Sequence, residues 1–364
     1  MKVDPMFEHF LKERIRAFNP YHADQAMTYE DGLLLIAALR YHLATDDAEC
    51  IQFIRDYLTL HILPDGTIKN YRPADFNIDN ILAGNVLFAM SDLTGDPRYE
   101  LAARNLRAQL ESHPRTTSGS FWHKLRYPNQ IWLDGLYMGQ PFRLAYAFLH
   151  DESTVPGDVM NQVENVRKLL WDDQRRLYVH AYDERRDMQW ADPITGRSPN
   201  VWSRSVGWFA MALADLADLF AGHDEAARKR LGTLLRELLD GMAPHRDLET
   251  GMWFQVVDHP ETPGNYLETS GSAMLAYAAL KGTRLGILPS SYAEDAKRTI
   301  AGIERKYLSY QKGGWVLGGI CAVAGLDNER RNGSIAYYLS ERIAENEIKG
   351  VGPYFFAKLE QQIY

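Results

Sequence analysis

The stretch SVGWFAMALADLADLFA, residues 205–221, carries two charges, Asp215 and Asp218, in seventeen positions and leaves no face for water. A helix that is apolar nearly all round is a buried helix. The segment that follows, about 224–243, has apolar residues at i, i+3, i+4 and i+7 with charge on the opposite face, the pattern of a helix half in water. The same pair recurs in both directions along the chain. Residues 31–44, 79–94, 134–149, 205–221, 269–284 and roughly 334–345 are of the first kind; about 5–17, 48–61, 97–113, 157–172, 224–243 and 290–308 are of the second. Six buried helices interleaved with six half-exposed ones predict an all-α (α/α)6 toroid, a six-hairpin barrel whose inner ring sits inside an outer ring, as one domain over 1–364. Pro141 falls inside the third inner helix and predicts a kink or a restart there.

Composition narrows the function. The 364 residues are 46% hydrophobic, enough for a large core, and the net charge is −8 with no basic block, which argues against nucleic-acid binding. No run of about 18 uncharged apolar residues is present, so no membrane span is expected. The opening MKVDPMFEHFLKERIRAFNP lacks the apolar segment of a signal peptide. Two cysteines, Cys50 and Cys321, make no disulfide framework and fit a reducing, cytoplasmic setting. No His/Cys/Asp set has metal-ligand spacing and no glycine-rich phosphate loop occurs, so neither a metal nor a cofactor is expected. A monomer or a homodimer is expected.

In such a toroid successive inner helices run the same way, and their N-termini meet at one mouth. The entering segments, MTYEDG (27–32), FNIDN (76–80), IWLDG (131–135), VWSRSVGW (201–208), NYLETSGS (265–272) and RNGSIAYY (331–338), are rich in aromatic and polar residues. Loops converging on a rigid scaffold are where sites are built, and helix N-termini favour anions. RLYVHAY (176–182) and DMQWAD (187–192), joined by DERR, alternate like a hairpin on this rim, and MWFQVVD (252–258) reads as a further strand.

Asp134, a carboxylate among Trp, Tyr, Met and Phe, is the first candidate for a general acid, because apolar surroundings disfavour its charged form; an N-cap is the plainer alternative. Asp79 enters the neighbouring inner helix, with Asn77 as competitor for its capping role. Arg204 is a candidate carboxylate fork, or a structural partner for a nearby acid. Trp208 is a sugar platform or core. His180 faces the same way as Tyr178 and Tyr182 and would contact an acidic sugar if it titrates near neutrality. His123 and Lys124 add positive charge just before the Asp134 segment, and Glu268 is a helix-start carboxylate.

WLDGLYM-x-x-PF, W-x-R-x-x-GW, YxHAYD, WxQV-x-D with NYLE-[ST]-[SG] downstream, and ENEIKGVGP occur in the order in which they resemble glycoside hydrolase family 105, the unsaturated rhamnogalacturonyl hydrolases, related to the unsaturated glucuronyl hydrolases of family 88. The resemblance runs from about residue 25 to the C-terminus. It implies an (α/α)6 barrel whose partner is a small unsaturated oligosaccharide made by a polysaccharide lyase, with hydration of the 4,5 double bond of its terminal uronic acid. It implies Asp134 as the catalytic acid and base, Asp79 as a substrate-orienting carboxylate, and Arg204, Trp208, His180, His123, Lys124 and Tyr29 as substrate-binding residues. The segment GGWVLGGICAVAGL (313–326) resembles a loop that closes the pocket. Three other readings stand beside this one: an ordinary inverting glycosidase using Asp134 with Asp79 or Glu268, a sugar epimerase with paired histidines, and a non-catalytic helical scaffold.

Overall fold

A computed structural model describes residues 3–18 and 26–363. Helix α1 (Pro5–Arg16) lies outside and α2 (Tyr29–Thr45) inside, and the alternation continues through α3 (Ala48–His61), α4 (Asn85–Thr94) and α5 (Pro97–Ser112). Strand β1 (Gln130–Trp132) leads into α6 (Leu133–Leu149) and α7 (Val155–Leu170), and β2 (Trp171–Asp172), β3 (Leu177–Tyr178) and β4 (Ala181–Asp183) follow. Next come α8 (Ser203–Leu219), α9 (Glu225–Met242), α10 (Thr269–Arg284) and α11 (Ser291–Tyr307). The chain ends with β5 (Leu308–Gln311), β6 (Gly314–Leu317), β7 (Ile320–Cys321), a short α12 (Ile335–Ser340), β8 (Ile343–Ala344) and α13 (Ile348–Ile363). The inner ring is α2, α4, α6, α8, α10 and α13; the last packs on both α10 and α2 and closes the circle. This is the (α/α)6 toroid that the alternation of helix types predicts.

Four outer helices and three inner ones differ in how they begin. Asp4, Asp47, Asp96 and Asp224 cap the outer helices α1, α3, α5 and α9, each accepting a first-turn backbone N–H. The inner helices α2, α6 and α8 start at Thr28, Trp132 and Trp202 without a side-chain cap. Their first-turn N–H groups and the positive ends of their dipoles are left for the mouth. Packing between inner helices is close: a Cβ on Gly271 of α10 would lie 2.6 Å from the Ser203 carbonyl carbon of α8, so the contact is open only to glycine.

The middle of the ring is filled. Tyr137 stacks on Trp208 at 5.3 Å, and both are buried, as are Tyr277 and Phe356. Toward the far end Asp215 accepts hydrogen bonds from the Tyr277 hydroxyl at 2.5 Å, Lys281 Nζ at 3.0 Å and Arg40 at 3.1 Å. Arg40 also lies over the rings of Tyr277 and Phe356, 4.9 and 4.6 Å from their centroids. Among the described residues no helix is long and apolar enough to cross a membrane.

Five expectations are corrected or narrowed. The sixth inner helix is α13, not 334–345: the helical run at 335 stops at Ser340, and Ile343–Ala344 pairs with Ile320–Cys321 as a strand. Gly350, Gly352 and Pro353 lower the helix propensity of α13, yet its residues Lys349–Glu360 are all buried, and packing decides over propensity. The second inner helix does not start at residue 79; two 3-10 turns, Ile78–Asn80 and Leu82–Gly84, precede α4. Helix α6 runs through Pro141 without restarting. The hairpin expected between 176–182 and 187–192 does not form. Instead β3 pairs back to β2 and β4 pairs with β1, while the Asp183 carboxylate accepts the N–H groups of Arg185, Asp187 and Met188 and folds that segment as a turn. The 252–258 stretch makes only single bridges, Phe254 to Leu267 and Val256 to Trp202.

Candidate active site

Asp134 is the second residue of α6, with Trp132 at the N-cap position, so its carboxylate is not the cap. The β1–β4 ladder sets Trp132 opposite Ala181, and the Leu133 N–H donates to the His180 carbonyl at 3.2 Å. This pairing brings His180 Nε2 to 3.6 Å from Asp134 Oδ2. Asn77 caps the 3-10 turn that holds Asp79, accepting the Asp79 N–H at 3.2 Å. The Asp79 carboxylate is thereby available to Lys124, with which it forms a short ion pair, and an isolated bridge from Asn77 to Lys124 holds the two segments together.

A cavity of about 460 Å³ opens at this mouth. Tyr29, Asp79, His123, Lys124, Asp134 and Trp208 line it, joined by Glu30, Arg126, Tyr127, Trp132, the Val323–Gly325 segment and Arg331. His123 and Tyr127 both stack on Trp132, at 4.6 and 4.7 Å between ring centroids. Glu30, Trp132 and Arg331 lie within the helix-entry segments read from the sequence, and Val323–Gly325 within the 313–326 loop. Arg331 reaches the mouth although its segment enters no inner helix.

Two expected residues stand behind the wall rather than in it. Arg204 is 2% exposed; its Nε donates to Ser270 Oγ at 2.7 Å, a terminal nitrogen donates to the Cys321 carbonyl, and Glu268 is 3.6 Å away. The plainer role, a structural partner for an acid, is the one this geometry displays. Glu268 itself caps α10 through the Gly271 N–H at 2.7 Å and is fully buried, so it is no second catalytic carboxylate. His180 is fully buried, with Nδ1 2.7 Å from the Tyr338 hydroxyl. Burial pushes its ring down to about 3, helped by nearby His123, so it is neutral at physiological pH and does not titrate near neutrality. Trp208 lines the cavity but is 1% exposed and is mainly core.

The two carboxylates are driven apart. Burial pushes Asp134 up to about 7; a backbone N–H pulls it back, the Asp79 charge adds to the rise, and Arg204 and Lys124 oppose it. Asp134 Oδ2 has no hydrogen-bond partner in the protein. Burial alone would raise Asp79 too, but Lys124, with smaller contributions from His123 and Arg126, holds it below the usual carboxylate range. A proton-holding acid beside a fixed anion is the arrangement that assigns acid and base roles. Asp79→Asn removes a charge that raises Asp134 and leaves the opposing Lys124 unpaired. Both changes stabilise the Asp134 anion, so the alkaline limb of the kcat/KM profile should move to lower pH by up to about one unit. An unmoved limb in a pH–rate series would show that Asp79 does not act on Asp134.

A family model described as Glycosyl Hydrolase Family 88 matches residues 4–363. A solved glycoside hydrolase from family 105 of C. acetobutylicum ATCC 824 is 39% identical, superposes with a TM-score of 0.92, and is matched over 97% of this chain and 98% of its own. The unsaturated rhamnogalacturonyl hydrolase YesR of Bacillus subtilis is 25% identical over 289 residues, 78% of this chain and 77% of that protein. The unsaturated glucuronyl hydrolase of Bacillus sp. GL1 is 16% identical with a TM-score of 0.63, covering 92% of this chain and 86% of that one, and shares the fold.

Proposed function

The chain belongs to Glycosyl Hydrolase Family 88, within the group of unsaturated uronyl hydrolases that includes family 105, and from that premise we propose that it hydrates the 4,5 double bond of an unsaturated galacturonyl residue at the non-reducing end of lyase-generated rhamnogalacturonan oligosaccharides. The observation that carries the reaction is Asp134: a carboxyl at the cavity wall, pushed up to about 7, with a free oxygen, beside a second carboxylate pinned as an anion by Lys124. The likeness to YesR supports the galacturonyl–rhamnose substrate.

The residues suit each step. Asp134 gives its proton to C4, the double-bond electrons form the new C–H bond, and positive charge develops at C5 and the ring oxygen. The resulting Asp134 carboxylate stabilises that charge and then takes a proton from the water that adds at C5. The product is a hemiketal at C5; ring opening unmasks the anomeric carbon and the leaving sugar departs. Asp79, held by Lys124, orients hydroxyls of the ring, and Trp132 with its stacked His123 and Tyr127 forms an aromatic wall. Uncapped N-termini of α2, α6 and α8 and the Arg331 side chain favour the substrate carboxylate at the mouth. Behind Asp134, in the tautomer with the proton on Nε2, His180 accepts from the Tyr338 hydroxyl and points its N–H toward Oδ2. A saturated-sugar inverting mechanism is less well served: Asp79 is tied to Lys124 and Glu268 to a helix cap.

Two buried, unpaired cysteines, Cys50 and Cys321, suit a reducing compartment, and we place the enzyme in the cytoplasm as one catalytic domain. The conjugated double bond absorbs ultraviolet light and hydration destroys it. Purified enzyme should therefore bleach the unsaturated disaccharide from rhamnogalacturonan without added metal. Bleaching only of glycosaminoglycan disaccharides would keep the mechanism and replace the substrate; an unchanged signal on both would overturn the reading.

A further inference from the structure

Arg126 stands at the tip of a turn on the cavity rim. The Tyr127 N–H donates to the Lys124 carbonyl at 2.9 Å, which closes a four-residue turn with Leu125 and Arg126 exposed at its apex. The inner end of the turn is fixed by the Lys124–Asp79 pair. At the outer end the Arg126 guanidinium lies over the Tyr127 ring, 4.7 Å from its centroid, and Tyr127 stacks in turn on Trp132. The guanidinium thus lies over an aromatic face, while among the described residues none of its N–H groups has an acceptor and no carboxylate pairs with it.

The other cations of the cavity have a partner or a role already: Lys124 pairs with Asp79, and Arg331, 3.8 Å from Glu341, faces the terminal carboxylate in the reading above. A planar fork with one face stacked and its donor edge free is suited to a carboxylate taken in bidentate fashion. Its place along the cavity is set by depth: Arg126 is exposed at the apex of its turn on the rim, whereas the Asp134 side chain is only 14% exposed. Arg126 therefore lies outward of the acid. A sugar whose C4 is presented to Asp134 occupies the inner part of the cavity, and an anion at Arg126 belongs to a sugar further along the chain.

We propose that Arg126 forms an outer subsite for the second carboxylate of an oligosaccharide in which uronic acid and neutral sugar alternate, so that the enzyme selects longer lyase products over the disaccharide. This rests on the unsaturated-uronide reading above. The test compares kcat/KM for the unsaturated disaccharide and the unsaturated tetrasaccharide of rhamnogalacturonan, followed by loss of ultraviolet absorbance, for wild type, Arg126→Ala and Arg126→Lys. The tetrasaccharide-to-disaccharide ratio should fall about fivefold to tenfold in Arg126→Ala, the scale of one charge-assisted contact at a solvated mouth, with Arg126→Lys between. Wild-type enzyme on a tetrasaccharide methyl-esterified at its internal uronate should show the same fall, which keeps the test independent of any folding defect in the variant. Turnover of both substrates with a ratio unmoved by substitution and by esterification overturns the subsite alone. Absence of turnover on both by wild type overturns the underlying reading with it.

Discussion

Asp134→Asn is expected to keep the fold, lose at least about 100-fold in kcat, and become more stable than wild type at alkaline pH. The catalytic loss follows from removing the carboxyl proton that Asp134 holds near neutrality and the base that later receives one. The stability gain follows from linkage. The folded-state value of Asp134, about 7, lies above its ordinary value of 3.8. Below the ordinary value both folded and unfolded states hold the proton, and the residue costs nothing. As pH rises through the window between the two values, the unfolded chain ionises while the folded chain keeps its proton, and folding stability drains away. Above about 7 the folded state must bury the anion, at a cost of up to about 4 kcal/mol. Asparagine does not titrate, so the variant escapes that cost at about pH 8 and gains nothing at about pH 4. Thermal unfolding of both proteins at the two pH values reads the difference. A variant with wild-type turnover, or one no more stable than wild type at alkaline pH, would remove Asp134 from this role.

The second large effect lies at the opposite end of the ring. Asp215→Leu removes the carboxylate that accepts from Tyr277, Lys281 and Arg40. Lys281 keeps a partner in Asp218 at 2.8 Å, but Arg40 loses its only ion pair among the described residues. Leaving a mostly buried guanidinium without its anion costs about 3–5 kcal/mol. Denaturant unfolding should show that loss. Adding Arg40→Met should recover much of it, because an apolar pair of similar volume replaces a buried ion pair at little net cost. A single variant within about 0.5 kcal/mol of wild type would mean that Arg40 is adequately solvated without Asp215.

The ring was legible because it is periodic. Eleven of the twelve helices of the toroid announce themselves by spacing and by whether charge occupies one face, as α8 and α9 do. The twelfth was placed at 334–345 instead of α13, whose Gly350, Gly352 and Pro353 weaken its helical signal while burial between α10 and α2 holds it helical. Asp134 and Asp79 were legible for a local reason: each stands at a helix entry beside aromatic or asparagine neighbours. What local sequence does not encode is pairing at a distance. That His180 stands behind Asp134 depends on a ladder between residues 130–132 and 181–183, and that Arg204 is occupied depends on Ser270 and Cys321. Arg126 gave no periodic signal at all, since its place is set by a turn anchored on Asp79.

The packed floor of the ring dictates how a chain is handled. With Tyr137 and Trp208 stacked across the axis, no polysaccharide threads through the barrel, and only a terminus reaches Asp134. Both fragments of any cleavage must leave by the entrance the substrate used. On the proposed reaction each chain therefore offers a single event, because the one double bond it carries is consumed when its terminal residue is released.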